Sequence, residues 1–265
     1  MVLTDGDVAA IERATLAAVS PSLVMEYGNW LMALSTGSVR RAQSAVPLSH
    51  QNHSGPKTWE SCRHAMAHVA SVYRSHGQHP VFRLPQDHFI LERAARELGL
   101  EPSGCYDVMV GGTAHLIRCA SRSPHAESRR LTEVRAAPRP DAAWQSLFLG
   151  EGFDPVDGQC RMDHLSRSDS NRYFTAWWNG MPVACGAAAE SHGWFSVHGM
   201  RTAAAHRGQG HASAVLRAMA VSALERGSER LFLQVESDNH AAVSLYTSLG
   251  LQTAWRYAYW KARPE

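Results

Sequence analysis

The chain has 265 residues, 45% of them hydrophobic, which suffices for a buried core in one large domain or two modest ones. Its formal net charge of +2 is too small to mark a nucleic-acid binder, although fifteen histidines add positive charge in acid. Five scattered cysteines, Cys62, Cys105, Cys119, Cys160 and Cys185, odd in number and without a CxxC pair, argue against a disulfide framework or a zinc ribbon and for a reducing cytoplasm.

The N-terminus carries Asp5, Asp7 and Glu12 where a signal peptide would be positive, and no apolar run approaches membrane-spanning length. A soluble, unprocessed, cytoplasmic protein with no membrane partner is the expectation. "VAAIERATLAAV", residues 8–19, predicts a helix, and "WLMALS" (30–35) with "SVRRAQSAV" (38–46) a strand pair. A long helix follows over 59–77, ending at Gly77. His64 and His68 within it are spaced i, i+4 as metal ligands can be, but no HExxH and no third ligand follow, so no metal is expected. "PVFRLP" (80–85) predicts a strand, and "DHFILERAARELG" (87–99) a helix capped by Asp87 and closed by Gly99. "CYDVMV" (105–110) and "AHLIRCA" (114–120) predict further strands.

Residues 121–142 hold three prolines and many charges without apolar periodicity, as a surface linker would. The chain therefore divides into an N-terminal unit (1–125), a linker (126–140) and a C-terminal unit (141–265). In the second unit, 141–152 predicts a helix and 172–190 a hairpin turning at Asn179-Gly180. A strand over 193–200 leads into the loop "HRGQGHA" (206–212). The helix beyond it sets Leu216, Met219, Ala220, Ala223 and Leu224 on one stripe, with Gly227 past its end. "LFLQVE" (231–236) alternates as a strand, Asn239 can cap a helix over 240–250, and "TAWRYAYW" (253–260) closes as a strand. The class is mixed α/β.

Free N–H groups and the positive dipole end of a helix bind anions, and small residues ahead of it let a diphosphate approach the backbone. The loop lacks the lysine and hydroxyl residue of a Walker A motif and the spacing of a dinucleotide GxGxxG, so another cradle is needed. With Arg207, Gly210 and Ala212 in its three fixed places, the loop resembles the arginine-x-x-glycine-x-(glycine or alanine) signature of the GCN5-related N-acetyltransferases. "NHAAVSLYTSLGL", residues 239–251, resembles the family's later motif at the family's distance downstream. The match covers roughly residues 141–262. "NWLMALSTGSVRRAQSAVPL" (29–48) is similar to the degenerate first half of tandem members.

The resemblance implies a central, mostly antiparallel sheet with splayed strands, and acetyl-CoA as co-substrate. It assigns the pyrophosphate to Arg207, Gly208, Gln209, Gly210, His211 and Ala212, the pantetheine arm to Met200, Arg201 and Thr202, and a further cofactor contact to Asn239. Tyr246 matches the tyrosine beside the CoA sulfur, as general acid. Gly199 would ease a bulge that frees backbone groups for the ligand. The stretch Ala203–Ala205 departs from the prolines or acids that many members carry there.

A protonated amine must lose its proton before attacking a thioester. Glu190, His192, His198 and Glu236 lie on or near the strands that should line the groove, with His198 and Glu236 the chosen candidates. The acceptor lies outside the motifs. Tandem members of this length include aminoglycoside-modifying enzymes of the kasugamycin 2′-acetylating kind, which makes a small amine of that type the expected partner. A polycationic acceptor would use carboxylates such as Glu26, Glu60, Asp87, Asp154, Asp157 and Asp163. The alternatives are a peptide or protein amine, or a non-catalytic acetyl-CoA-binding module.

Overall fold

The computed structural model describes residues 3–50, 56–122, 132–150, 152 and 154–263. Helix α1 (Asp5–Val19) opens with a capping box between Thr4 and Asp7. Strands β1 (Leu23–Tyr27), β2 (Trp30–Leu34) and β3 (Ala45–Pro47) follow, then α2 (Pro56–Ser75), β4 (Phe82–Pro85), α3 (Phe89–Glu97), β5 (Leu100–Gly112) and α4 (Thr113–Arg122). The second part has β6 (Glu133–Ala137), α5 (Ala142–Phe148), α6 (Pro155–Arg167), β7 (Asn171–Trp178), β8 (Met181–Ser191), β9 (Trp194–Thr202), α7 (His211–Glu225), β10 (Arg230–Glu236), α8 (His240–Ser248) and β11 (Gln252–Ala262). Among the described residues no helix is long and apolar enough to cross a membrane.

Several expectations need correction. "AHLIRCA" is the helix α4: Thr113, Leu116 and Ala120 are buried and Ile117 packs beside them, a 3.6-residue period that outweighs the strand reading. Asp87 sits at φ 63°, and the cap of α3 is His88, whose side chain accepts from Leu91 N. Within "SVRRAQSAV" only Ala45–Pro47 is strand, and Arg40–Gln43 form a 3-10 turn. The stretch 133–137 is an edge strand paired with β7, while residues 126–131 of the expected linker lie outside the described residues. Leu224 is 43% exposed, off the buried stripe of α7. The hairpin at Asn179-Gly180 forms as expected, both residues taking positive φ (49° and 75°) as a type I′ turn requires.

All strands join one sheet in the order β1-β2-β3-β4-β11-β5-β10-β9-β8-β7-β6. It is antiparallel except at β3–β4 and β9–β10. The succession β1-β2-β3-α2-β4-α3-β5 is repeated as β7-β8-β9-α7-β10-α8-β11, and the repeats exchange their last strands. β5 inserts beside β10 of the second repeat, and β11 pairs with β4 of the first. Neither arm of the sheet is complete without a strand of the other. On one face α7, α4 and α8 cover Phe195, Val197, Leu231 and Leu233. On the other, α1 crosses Trp194, Phe232, Val108 and Tyr257, and α5 covers Tyr173 and Ala187.

Candidate active site

Strands β9 and β10 pair only over Leu231↔Phe195, Phe232↔Ser196 and Leu233↔Val197. Both run on, β9 to Thr202 and β10 to Glu236, so beyond Val197 the sheet forks and the facing edge of β9 loses its strand partner. The register to β8 slips between Cys185 and Ala187, and Gly199 takes φ 59°. A Cβ there would meet the Phe148 ring at 2.8 Å, so the bulge requires glycine. Met200, Arg201 and Thr202 line the fork. Arg201 lies over the Phe148 ring at 5.7 Å, and burial pulls its pKa down to about 10.

Thr202 leads through a short 3-10 turn (Ala204–His206) to Arg207, whose Nε donates to Thr202 O at 3.4 Å. Gln209 Nε2 donates to Ala205 O. Gly208 and Gly210 take φ of 72° and 86°, and nothing lies within 4 Å of a Cβ added at Gly208. Five helices (α1, α3, α5, α6 and α8) have a side-chain cap, from Thr4, His88, Asp141, Asp154 and Asn239, whereas α7 has none. Among the described residues no side chain caps the N–H groups of its first turn, which lie beside bare backbone, a cradle suited to a diphosphate. His211 is buried, shares a hydrogen bond with Thr132 (3.0 Å), and burial and then His206 lower its pKa. Ala212 completes the loop on α7.

Asn239 Oδ1 caps α8 by accepting from Ala242 N (3.2 Å), which leaves its amide NH2 to donate elsewhere. Tyr246, two turns along the same helix, is buried at 7% exposure in the core under α8, and burial raises its pKa to about 12. It is therefore a protonated phenol at neutral pH.

On the opposite face, partly beneath α1, a cluster of tyrosines joins the two repeats. Tyr106 of β5 donates to Glu236 Oε1 (3.3 Å), stacks on Tyr257 and meets Tyr259 edge-on, both at 5.2 Å. Tyr257 donates to Gln234 Oε1 at 2.8 Å. Sequence reasoning missed Tyr106, Gln234, Tyr257 and Tyr259. The signal was the alternation of "YAYW", which sets Tyr257 and Tyr259 on one face, but their partner strand was not legible.

Among the proton-acceptor candidates, Glu236 is exposed at the end of β10. His198 is buried, and burial, aided by Arg41, pushes its pKa down to about 3. Ser196 Oγ donates to Ala189 O (3.2 Å), so it accepts from His198 Nε2 (2.8 Å) and leaves Nδ1 as a buried, unpartnered acceptor. Glu190 accepts from Ser228 Oγ, and His192 lies in the β8–β9 turn, both at the far end of β9 from the fork. Of the six further carboxylates, Glu26 pairs with Arg13, Asp157 with Arg161, Asp154 caps α6 and Asp163 accepts from Gln159. Glu60 and Asp87 are exposed on the first repeat, where His68 stacks on Tyr27. A separate groove of about 730 Å³, between α7 and β6–β7, is lined by Arg172, Phe174 and Arg217 and does not include the fork.

A family profile described as "Probable histone acetyltransferase Rv0428c C-terminal" matches residues 5–260. The chain belongs to this acetyltransferase family. The match embraces both repeats, as the strand exchange requires. The "Uncharacterized N-acetyltransferase YobR" of Bacillus subtilis (strain 168) is 30% identical over 122 residues, 45% of this chain and 49% of that protein, so the alignment spans about half of that relative. In fold, a GCN5-related N-acetyltransferase from Kribbella flavida superposes with TM-score 0.70 at 16% identity, covering 97% of this chain and 96% of that one. A tandem GNAT protein from the clavulanic acid biosynthesis pathway gives 0.59 at 12% identity, covering 98% and 96%. The architecture of this family member is thus that of a tandem GCN5-related N-acetyltransferase.

Proposed function

We propose that the protein transfers an acetyl group from acetyl-CoA to a primary amine of a small molecule, by direct attack in a ternary complex. The observation that carries this is the β9–β10 fork running into the uncapped, glycine-led helix α7. Residues Arg207–Ala212 would hold the diphosphate with Asn239 beside them, and the freed edge of Met200–Thr202 the pantetheine arm. The donor fit is good: bare amides, two positive-φ glycines and a guanidinium suit a diphosphate. Bound there, acetyl-CoA supplies an acetyl thioester.

Glu236 takes the proton of the incoming ammonium, directly or through water. The freed amine bonds to the acetyl carbon as the C–S bond breaks, a backbone N–H at the Met200 bulge meets the developing oxyanion, Tyr246 gives its proton to the departing sulfur, and the second proton shed by the new amide nitrogen passes through water to restore the phenol. His198, with a pKa near 3, is the weaker acceptor for a proton leaving an amine of pKa about 10. In this reading residues 1–125 supply the acceptor side, 126–140 link, and 141–265 bind acetyl-CoA.

The family's description favours a second reading, a lysine amine on a protein. The aminoglycoside reading rests on the tandem resemblance, without a cluster of carboxylates to meet several ammonium groups. The test is thiol release from acetyl-CoA with amino sugars, small amines and peptides. Turnover with any amine, reduced at least tenfold in kcat by Glu236→Gln, supports transfer. Acetyl-CoA binding with no thiol release from any amine would leave a binding module instead.

A further inference from the structure

A second opening lies where α7 crosses β6 and β7. The register Ala136↔Phe174 and Val134↔Ala176 sets Val134, Ala136, Phe174 and, two residues back on β7, Arg172 on the face toward α7. Opposite them Ala214, Arg217, Ala218 and Val221 follow at i, i+3, i+4 and i+7, on one stripe of the helix. The alanines at 136, 214 and 218 are too short to close the space between helix and edge strand. They leave the groove of about 730 Å³, a size suited to one small molecule.

This groove carries cations without partners. Arg172 is half-buried, and its Nε is buried with no hydrogen-bond partner. Among the described residues neither Arg172 nor Arg217 is within ion-pairing distance of a carboxylate, whereas Arg135, on the other face of the same strand pair, is held by Glu133 at 2.8 Å and lies over Trp177. Glu225, at the C-terminal end of α7, is the carboxylate of the lining and pairs with neither arginine. A guanidinium partly removed from water and left unpaired is costly, and an oxyanion with two acceptor oxygens relieves that cost.

We propose that this groove binds a small amphipathic anion, its carboxylate or phosphate held by Arg172 and Arg217 and its apolar body laid over Phe174, Val134 and the alanines. The site is independent of acetyl transfer and lies along the side of α7, away from the fork. Thr132 joins the two regions, lining the groove and sharing a hydrogen bond with His211 of the loop.

The experiment is calorimetric titration of the full chain, with and without acetyl-CoA, using octanoate, octyl phosphate, octanol and inorganic phosphate. The expected result is one site per chain at which an octyl anion binds about tenfold or more tighter than octanol and than inorganic phosphate, since head and body are both engaged. Arg172→Gln and Arg217→Gln should each weaken that anion about tenfold, and Ala218→Phe, which fills the space, should remove it. The better of the two octyl anions tells carboxylate from phosphate. Absence of binding by both, equal affinity for octanol or inorganic phosphate, or an affinity untouched by both arginine variants overturns the proposal. So does an anion that is displaced by acetyl-CoA and lost through Gly208→Ala, which would place it at the first turn of α7. Circular dichroism of each variant establishes that it is folded.

Discussion

Each repeat contains a fork between parallel strands, at β3–β4 and at β9–β10, with a helix returning from its mouth. The chain has treated them in opposite ways. In the first, Leu48 N bonds to Asn29 O, Ser49 Oγ donates to Asp5 Oδ2 at 2.8 Å, and His50 lies edge-on to Trp255. Arg83, within β4, is fully buried with Nη2 2.6 Å from Glu12 and Nε donating to Ser44. Protein side chains occupy that opening. In the second fork β9 runs on through Met200–Thr202 into a loop of glycines with positive φ and a helix without a side-chain cap. The helices that follow differ too: α3 and α8 both span nine residues and both lead into Leu-Gly, but the place of Tyr246 is taken in α3 by Ala95. The first fork is tied by buried side chains, and the second is the one to which acetyl-CoA is assigned above.

The largest expected effect separates the forks by chemistry. Tyr246→Phe should lower kcat about 10²- to 10⁴-fold with little change in acetyl-CoA affinity, as loss of a positioned general acid does. Steady-state thiol release beside a binding titration checks this, and unchanged turnover would remove the phenol from the mechanism. The next effect concerns the plugged fork. Arg83→Met leaves the Glu12 carboxylate buried without its partner and should cost about 3–5 kcal/mol in urea unfolding, against about 0–1 kcal/mol for Arg13→Met at the exposed pair with Glu26. Equal losses would mean that the buried pair does not hold the joint closed.

A smaller effect comes from the histidines. Burial pushes His198 down to about 3 and His50 to about 4, so both are neutral in the fold while their unfolded forms titrate near 6.5. Below about pH 6.5 the unfolded chain binds more protons, and stability present above that pH drains as pH falls toward the folded values. His198→Asn should remove a share of this pH dependence of about 2 kcal/mol between pH 7 and 5. Urea midpoints at the two pH values measure it. A wild-type and variant difference that does not change with pH would contradict the buried neutral state.

How legible the two forks were differs as well. The open one was readable because its chemistry is local: glycines at 208 and 210 and the absence of a capping side chain are sequence facts with direct backbone consequences. The closed one was not, since Glu12, Ser44 and Arg83 meet only through tertiary packing. The strand exchange was invisible for a related reason, as the alternation of β5 and β11 is the same whichever neighbour they pair with. In "AHLIRCA" a short apolar run carried two periods at once, and its contact with α7 decided for helix. Strand β1, with its exposed Leu23 and Val24, and helix α6, with few apolar residues, gave too weak a pattern to be expected at all.

The most direct test of the central claim is calorimetric titration of acetyl-CoA into the wild-type protein and into the variants Gly208→Ala and His50→Ala. A Cβ at Gly208 meets no protein atom, so its effect falls on the ligand and on the positive φ alone. We predict one site per chain, weakened about tenfold or more by Gly208→Ala and left in place by His50→Ala. Two sites per chain, or loss of binding through His50→Ala with none through Gly208→Ala, would contradict the assignment of acetyl-CoA to the β9–β10 fork.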